Sequence, residues 1–122
     1  MKIHPYFNSH KKLAIAHRGG VSRYPENTME AFQDAIDLGY KYLETDIQVT
    51  SDNKLVIFHD DRLDRLTNIR GNLKGQSWDE IKHTKINEKY SIPLLSELIT
   101  SWPEIKINID PKIDECVGPL ID

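Results

Sequence analysis

The chain has 122 residues, 39% hydrophobic and 29% charged, with 16 Lys and Arg against 19 Asp and Glu for a formal net charge of -3. That balance belongs to an ordinary globular chain and excludes a disordered or fibrous one. No basic stripe tracks a phosphate backbone, no apolar run is long enough to cross a bilayer, and the lone Cys116 allows no internal disulfide; we therefore expect no nucleic-acid partner, no membrane span and a cytoplasmic location.

Residues 1–12 are polar and short of pattern, a lead-in whose His4 and His10 carry no functional claim. Leu13-Ala14-Ile15-Ala16 is a small and branched apolar run suited to a buried strand, and it ends abruptly in His17-Arg18-Gly19-Gly20. Polar side chains at the carboxyl end of a strand sit where α/β folds bind ligands, although the same residues also serve as a plain surface cap. The two glycines let the backbone turn or approach a ligand closely. Pro25-Glu26-Asn27-Thr28 opens a helix, with Asn27 predicted as N-cap and Glu30 completing a capping box. Met29, Phe32, Ala35 and Ile36 share one face at helical spacing, and Gly39 is placed to end the helix in a left-handed conformation.

Tyr42 to Val49 reads as a strand. Its period of two sends Leu43, Thr45, Ile47 and Val49 to an apolar face and Tyr42, Glu44, Asp46 and Gln48 to the other. Glu44 and Asp46 then lie about 7 Å apart on one side. Two carboxylates so close are costly in a segment suited to burial unless a counter-charge joins them, and a divalent cation answers that need. An isolated Glu-x-Asp is more often the solvated polar face of a half-exposed strand, so the weight rests on its neighbours. Leu55-Val56-Ile57-Phe58 follows after too short a link for a parallel crossover, which predicts an antiparallel hairpin. A turn centred on Asp52 pairs residue n with residue 104 − n and sets His59 opposite Thr45, between Glu44 and Asp46 in height.

Residues 60–92 read as an excursion inserted into a single domain spanning 1–122. Within it Ser77-Trp78-Asp79-Glu80 is a capping box before a short helix to about His83, a solvated residue at the helix end. Ile92-Pro93-Leu94-Leu95 begins a helix through about Ser101, stopped by Pro103. Ile105 to Lys112 repeats the pattern of the acidic strand: Ile105, Ile107 and Ile109 on one face, Lys106, Asn108, Asp110 and Lys112 on the other. Pro111 lacks an N–H, so regular pairing should finish there. Residues 113–122 read as a loop and the first turn of another helix.

Three strand ends thus offer His17 and Arg18, Glu44 and Asp46, and Asp110 and Lys112, with His59 supplied by the hairpin. Carboxylates are hard oxygen ligands suited to Mg²⁺ or Ca²⁺, the two histidines are left for proton transfer, and Arg18 and Lys112 can hold an anionic phosphoryl oxygen. Together they point to phosphoryl transfer.

Ala16-His17-Arg18-Gly19-Gly20, Pro25-Glu26-Asn27-Thr28, Glu44-Thr45-Asp46, His59-Asp60-Asp61 and Asn108-Ile109-Asp110-Pro111-Lys112, in that order from about residue 13 to 113, resemble the glycerophosphodiester phosphodiesterase family. The resemblance implies an α/β fold of the (β/α)8 TIM-barrel kind, a divalent cation, and hydrolysis of glycerophosphodiesters to sn-glycerol 3-phosphate and an alcohol. By position Glu44, Asp46 and Asp110 look like metal ligands, His17 and His59 like the general acid and base in an order left open, and Arg18 and Lys112 like phosphate contacts. Many members carry Glu where this chain has Asp110. A whole barrel takes about 250 residues and eight strands. Three barrel strands and one hairpin therefore predict the N-terminal portion of a barrel, its open edge to be covered by a missing C-terminal half or by an oligomer. Two further readings are a related phospholipase D-like or phosphoinositide phosphodiesterase, and a non-catalytic remnant that binds metal or a partner.

Overall fold

A computed structural model describes residues 15–19 and 23–121. The lead-in, Leu13, Ala14 and Gly20 lie outside the described residues. The strand β2 (Tyr42–Val49) is the axis of a four-stranded sheet. β1 (Ile15–Ala16) pairs parallel with its start, Ile15 beside Tyr42. β3 (Leu55–Ile57) pairs antiparallel with its end, Ile47 facing Ile57 and Val49 facing Leu55, which is the predicted hairpin register. Phe58 carries that register one step further by donating its N–H to the Asp46 carbonyl at 3.0 Å.

Between β1 and β2 runs α1 (Met29–Asp37), whose Phe32 and Ala35 pack on Ala16, Leu43, Ile47 and Val49. Fully burying a ring such as that of Phe32 is worth about 2–3 kcal/mol. The cap differs from the prediction by one residue. Thr28, not Asn27, is the N-cap, its hydroxyl accepting from the Ala31 N–H at 3.1 Å, and Glu30 completes no capping box. Asn27 adopts the left-handed φ of 57° instead, and its amide is taken up elsewhere. The other end agrees with the sequence: Gly39, at φ 99°, follows the last turn.

Residues 60–92 build a second core. α2 (Trp78–Ile81) has the predicted Ser77 and Glu80 capping box. β4 (Lys85–Ile86) and β5 (Tyr90–Ser91) form a small hairpin that the sequence pattern did not suggest. Its turn places Asn87 and Glu88 at φ 50° and 66°; Asn is at home there, Glu is not, so the turn signature is weak. Leu63, Leu73, Ile81, Ile86 and Ile92 close over Val56 and Phe58. β3 therefore divides two cores by its alternation, Leu55 and Ile57 facing the sheet cluster and Val56 and Phe58 the other.

The chain returns through α3 (Leu95–Ser101) to β6 (Lys106–Pro111), which lies parallel to β2 on the edge opposite β1 and β3. Pairing ends as predicted near Pro111, with one further bond from the Lys112 N–H to the Ile47 carbonyl at 3.1 Å. A short α4 (Val117–Ile121) closes the described chain. Three parallel strands, a connecting helix on one face and an unclosed sheet form an α/β partial barrel. No helix of the described residues is long and apolar enough to cross a membrane.

Candidate active site

The carboxyl ends of β1, β2 and β6 point the same way, and the register decides what meets there. Asp46 stands directly beside Asp110 across the ladder, and Glu44 precedes Asp46 by two residues on the same face. Glu44, Asp46 and Asp110 each offer an oxygen, and these ligand atoms lie within 4.8 Å of one another. The shorter Asp110 side chain thus reaches the group. Burial falls across the set: Asp46 is 1% exposed on its side chain, Glu44 13% and Asp110 52%. Burial raises the Glu44 pKa above its ordinary value, partly offset by the Arg18 N–H and reinforced by the Asp46 charge.

Two cations and an amide stabilise this cluster. Lys112 Nζ lies 3.2 Å from Asp46 Oδ1 and 2.6 Å from Asp110 Oδ2, contacts that raise its pKa, the bond to Asp110 foremost. Asn27 Nδ2 donates to Asp46 Oδ2 at 3.1 Å, while its Oδ1 accepts from the Thr45 hydroxyl at 3.2 Å. That explains why Asn27 is not a helix cap: both ends of its amide are committed to β2. Arg18 follows β1 in a left-handed conformation, φ 51°, and gives its backbone N–H to Glu44 Oε2 at 2.8 Å. Gly19 makes this possible. Its φ is 76°, and a Cβ there would fall 2.5 Å from Phe32 Cδ1, so the turn lies flat on the α1 ring.

The Arg18 guanidinium spans two acids. Nη1 donates to Glu26 Oε2 at 3.1 Å, while Nε lies 3.4 Å from Asp46 Oδ2, near enough for ion pairing but not aligned for a hydrogen bond. A buried N–H is therefore available beside the carboxylates. His17 is largely exposed, with Nε2 3.6 Å from Glu44 Oε2.

His59 joins the group at one remove. Its Nδ1 lies 2.7 Å from Asp60 Oδ1; Arg65 holds Asp60 and also Glu26, the partner of Arg18. The Arg65 hydrogen bonds lower the Asp60 pKa to about 2, and the same contacts raise that of Arg65. Of the residues singled out in the sequence, His17, Arg18, Glu44, Asp46, Asp110 and Lys112 thus form one connected series of contacts, and His59 is linked to it through ion pairs.

Four site residues escaped the sequence reading: Glu26, Asn27, Asp60 and Arg65. The first two lie in the Pro25-Glu26-Asn27-Thr28 segment and Asp60 follows His59, so a motif contained them without stating their work. Arg65 is 39 residues from Glu26 and had no local signal.

Three close carboxylate oxygens are the donor set of a hard divalent cation. The cluster also carries more negative than positive charge, three acids against Arg18 and Lys112, so the residues fit such an ion.

Residues 17–118 match the Glycerophosphoryl diester phosphodiesterase family. A glycerophosphodiester phosphodiesterase of Caldanaerobacter subterraneus is 40% identical over 121 residues, covering 92% of this chain and 50% of its own. The solved glycerophosphodiester phosphodiesterase of Thermotoga maritima superposes with a TM-score of 0.81 at 30% identity, over 93% of this chain and 50% of that one. A phosphodiesterase of Oleispira antarctica, solved with the product sn-glycerol-3-phosphate, gives a TM-score of 0.81 at 28% identity, over 90% of this chain and 50% of that one. The chain thus spans about half the length of these relatives. A match over most of its residues, an α/β half-barrel that superposes on two such structures and an acidic cluster at the strand ends lead to one conclusion: the chain belongs to the glycerophosphoryl diester phosphodiesterase family, as its N-terminal part.

Proposed function

We propose that this chain supplies the catalytic half of an enzyme that hydrolyses glycerophosphodiesters to sn-glycerol 3-phosphate and an alcohol. The observation that carries the reading is the convergence of Glu44, Asp46 and Asp110 between two cationic side chains, Arg18 and Lys112. Glu44, Asp46 and Asp110 would hold Mg²⁺ or Ca²⁺. When bound, that cation supplies Lewis-acid stabilisation of the charge that grows on the phosphoryl oxygens.

The protein's own groups perform the rest. Arg18 keeps a buried Nε–H without a hydrogen-bond partner beside Asp46, and Lys112 holds its ammonium between Asp46 and Asp110, so both add positive charge that would orient an anionic phosphodiester. His17 stands at the lip, free to exchange a proton with solvent or substrate. His59 keeps Nδ1 on Asp60, leaving Nε2 to take or give a proton. One imidazole removes the proton of the substrate's glycerol hydroxyl as that oxygen attacks phosphorus and the other protonates the departing alcohol; water then opens the resulting cyclic phosphodiester to sn-glycerol 3-phosphate. Asn27 prevents the buried Asp46 from swinging away.

Half a barrel leaves an edge unpaired, so turnover requires the sheet to be completed by further chain or by a second molecule. The test is release of choline from glycerophosphocholine with Mg²⁺ or Ca²⁺, by the 122-residue chain and by a form carrying a complete barrel. Activity is expected in the complete form, with a loss of about 10²–10⁴-fold for His17→Ala or His59→Ala. Sphingomyelin and phosphoinositides in the same assay separate the related phosphodiesterases. A complete barrel that binds the cation but turns over none of these diesters would make the protein a non-catalytic binder.

A further inference from the structure

Among the described residues of the excursion, Asp60 at its start touches the site and so, from further in, does Arg65. Its backbone is pinned: the Leu63 N–H bonds the Gly71 carbonyl at 2.9 Å, the Thr67 N–H bonds Leu63 at 3.1 Å, and the Asn87 N–H bonds Leu66 at 2.9 Å. Leu63 is fully buried in the second core and Leu66 packs against it. From this fixed turn the guanidinium reaches two carboxylates at once. Nε donates to Asp60 Oδ2 at 2.7 Å and Nη2 to Asp60 Oδ1 at 3.1 Å; Nη1 and Nη2 donate to Glu26 Oε1 and Oε2, both at 3.1 Å.

Each of those acids holds a second group. Asp60 Oδ1 meets His59 Nδ1 at 2.7 Å, and Glu26 Oε2 accepts from Arg18 Nη1 at 3.1 Å. An ionised carboxylate can only accept, so the imidazole proton must sit on Nδ1, which leaves the Nε2 lone pair free. Glu26 is nearly buried and needs both guanidinium groups to compensate its charge. The planar fork of arginine can grip two carboxylates in fixed geometry, whereas a lysine ammonium supplies the charge without the fork.

We propose that Arg65 is a positioning residue: by clamping Asp60 and Glu26 together it holds His59 in the Nδ1–H tautomer and Arg18 in its place beside the carboxylates. The excursion's separate core then has a purpose, since it provides the rigid mount for the clamp. The importance of the tautomer rests on the reading of His59 as a proton-transfer group; the clamp itself does not.

The test is nitrogen-15 NMR of the His59 ring in the histidine-labelled protein, at a pH where the imidazole is neutral. In the wild type the Nδ1–H form should dominate. In Arg65→Lys its share should fall by about half or more, because the hydrogen bond that selects it has lost its support. Arg62→Lys, at a neighbouring arginine paired with Asp64, should leave the pattern unchanged. If Arg65→Lys does not fold, the wild-type Arg65 Nε–H decides, and it should resist exchange with solvent. A wild-type ring without the Nδ1–H form, an Arg65→Lys ring identical to wild type, or a freely exchanging Arg65 Nε–H would each overturn the proposal. In the complete barrel Arg65→Lys should lower kcat roughly 10²-fold, the scale of a displaced catalytic group. A wild-type barrel without turnover, in a protein whose ring pattern is as expected, would contradict the proposed function and leave the clamp standing.

Discussion

The two cores of this molecule are finished to different degrees. In the excursion, Leu63, Leu73, Ile81 and Ile86 are 0% exposed, all drawn from a segment that closes on itself and on Val56 and Phe58 of β3 and the loop that follows. On the barrel side, Ile105, Ile107 and Ile109 of the last strand region are only partly buried, Ile15 is 38% exposed and Ile121 77%. The candidate site sits on the unfinished side and Arg65, which braces it, on the finished one. The sheet of the described residues is unclosed and the solved relatives are about twice as long as this chain, whereas the excursion closes its core with Val56 and Phe58.

The largest expected effect breaks that contrast most directly. Phe58→Ala empties the centre of the finished core and should cost about 3–5 kcal/mol in urea unfolding, while Ile107→Ala on the half-covered strand should cost about 1 kcal/mol. Equal costs would mean that the sheet face is already as well packed as the excursion. Gly19→Ala comes next, at about 1–3 kcal/mol, because a side chain at positive φ would be driven into Phe32. Its Arg18 should also lose contact with Glu44, readable as a shift of the Arg18 amide resonance. Removing one helix cap on each side, Thr28→Ala and Ser77→Ala, should cost about 1 kcal/mol apiece, since each hydroxyl satisfies one backbone donor at its helix start.

Acid should act at the joint between the regions, and with the smallest effect. Asp60 is held near 2, below its ordinary 3.8, so its contribution to stability is complete above that ordinary value and fades as pH falls towards 2. Urea midpoints measured through this window should fall in the wild type and less in Asp60→Asn. Parallel curves would show that the Asp60 pairing does not couple the excursion to the rest.

The hairpin register was legible because strict alternation leaves a link of five residues, 50–54, only one way to bury Ile47 and Ile57 together. The acids at 44, 46 and 110 were legible as same-face residues for the same reason, and the parallel pairing of β2 with β6 brought Asp46 level with Asp110. The helix cap was not, because Asn27 and Thr28 are both good caps by type, and the choice between them was made by distant partners, Thr45 and Asp46. Arg65 was not legible either. A surface arginine carries no mark of the two acids it will join, one of them 39 residues away. Local pattern thus described what strands and helices present, and missed the groups whose role depends on packing between the two cores.

The account stands on the proposal that Glu44, Asp46 and Asp110 share a cation, and a calorimetric titration of the protein with Mg²⁺ and Ca²⁺, beside Asp46→Asn, tests it most directly. One ion should bind per chain, with affinity falling at least about 10-fold in the variant, since the buried carboxylate at its centre is gone. Absence of binding by either ion, or binding that Asp46→Asn leaves untouched, would contradict the claim that these three acids converge on a metal.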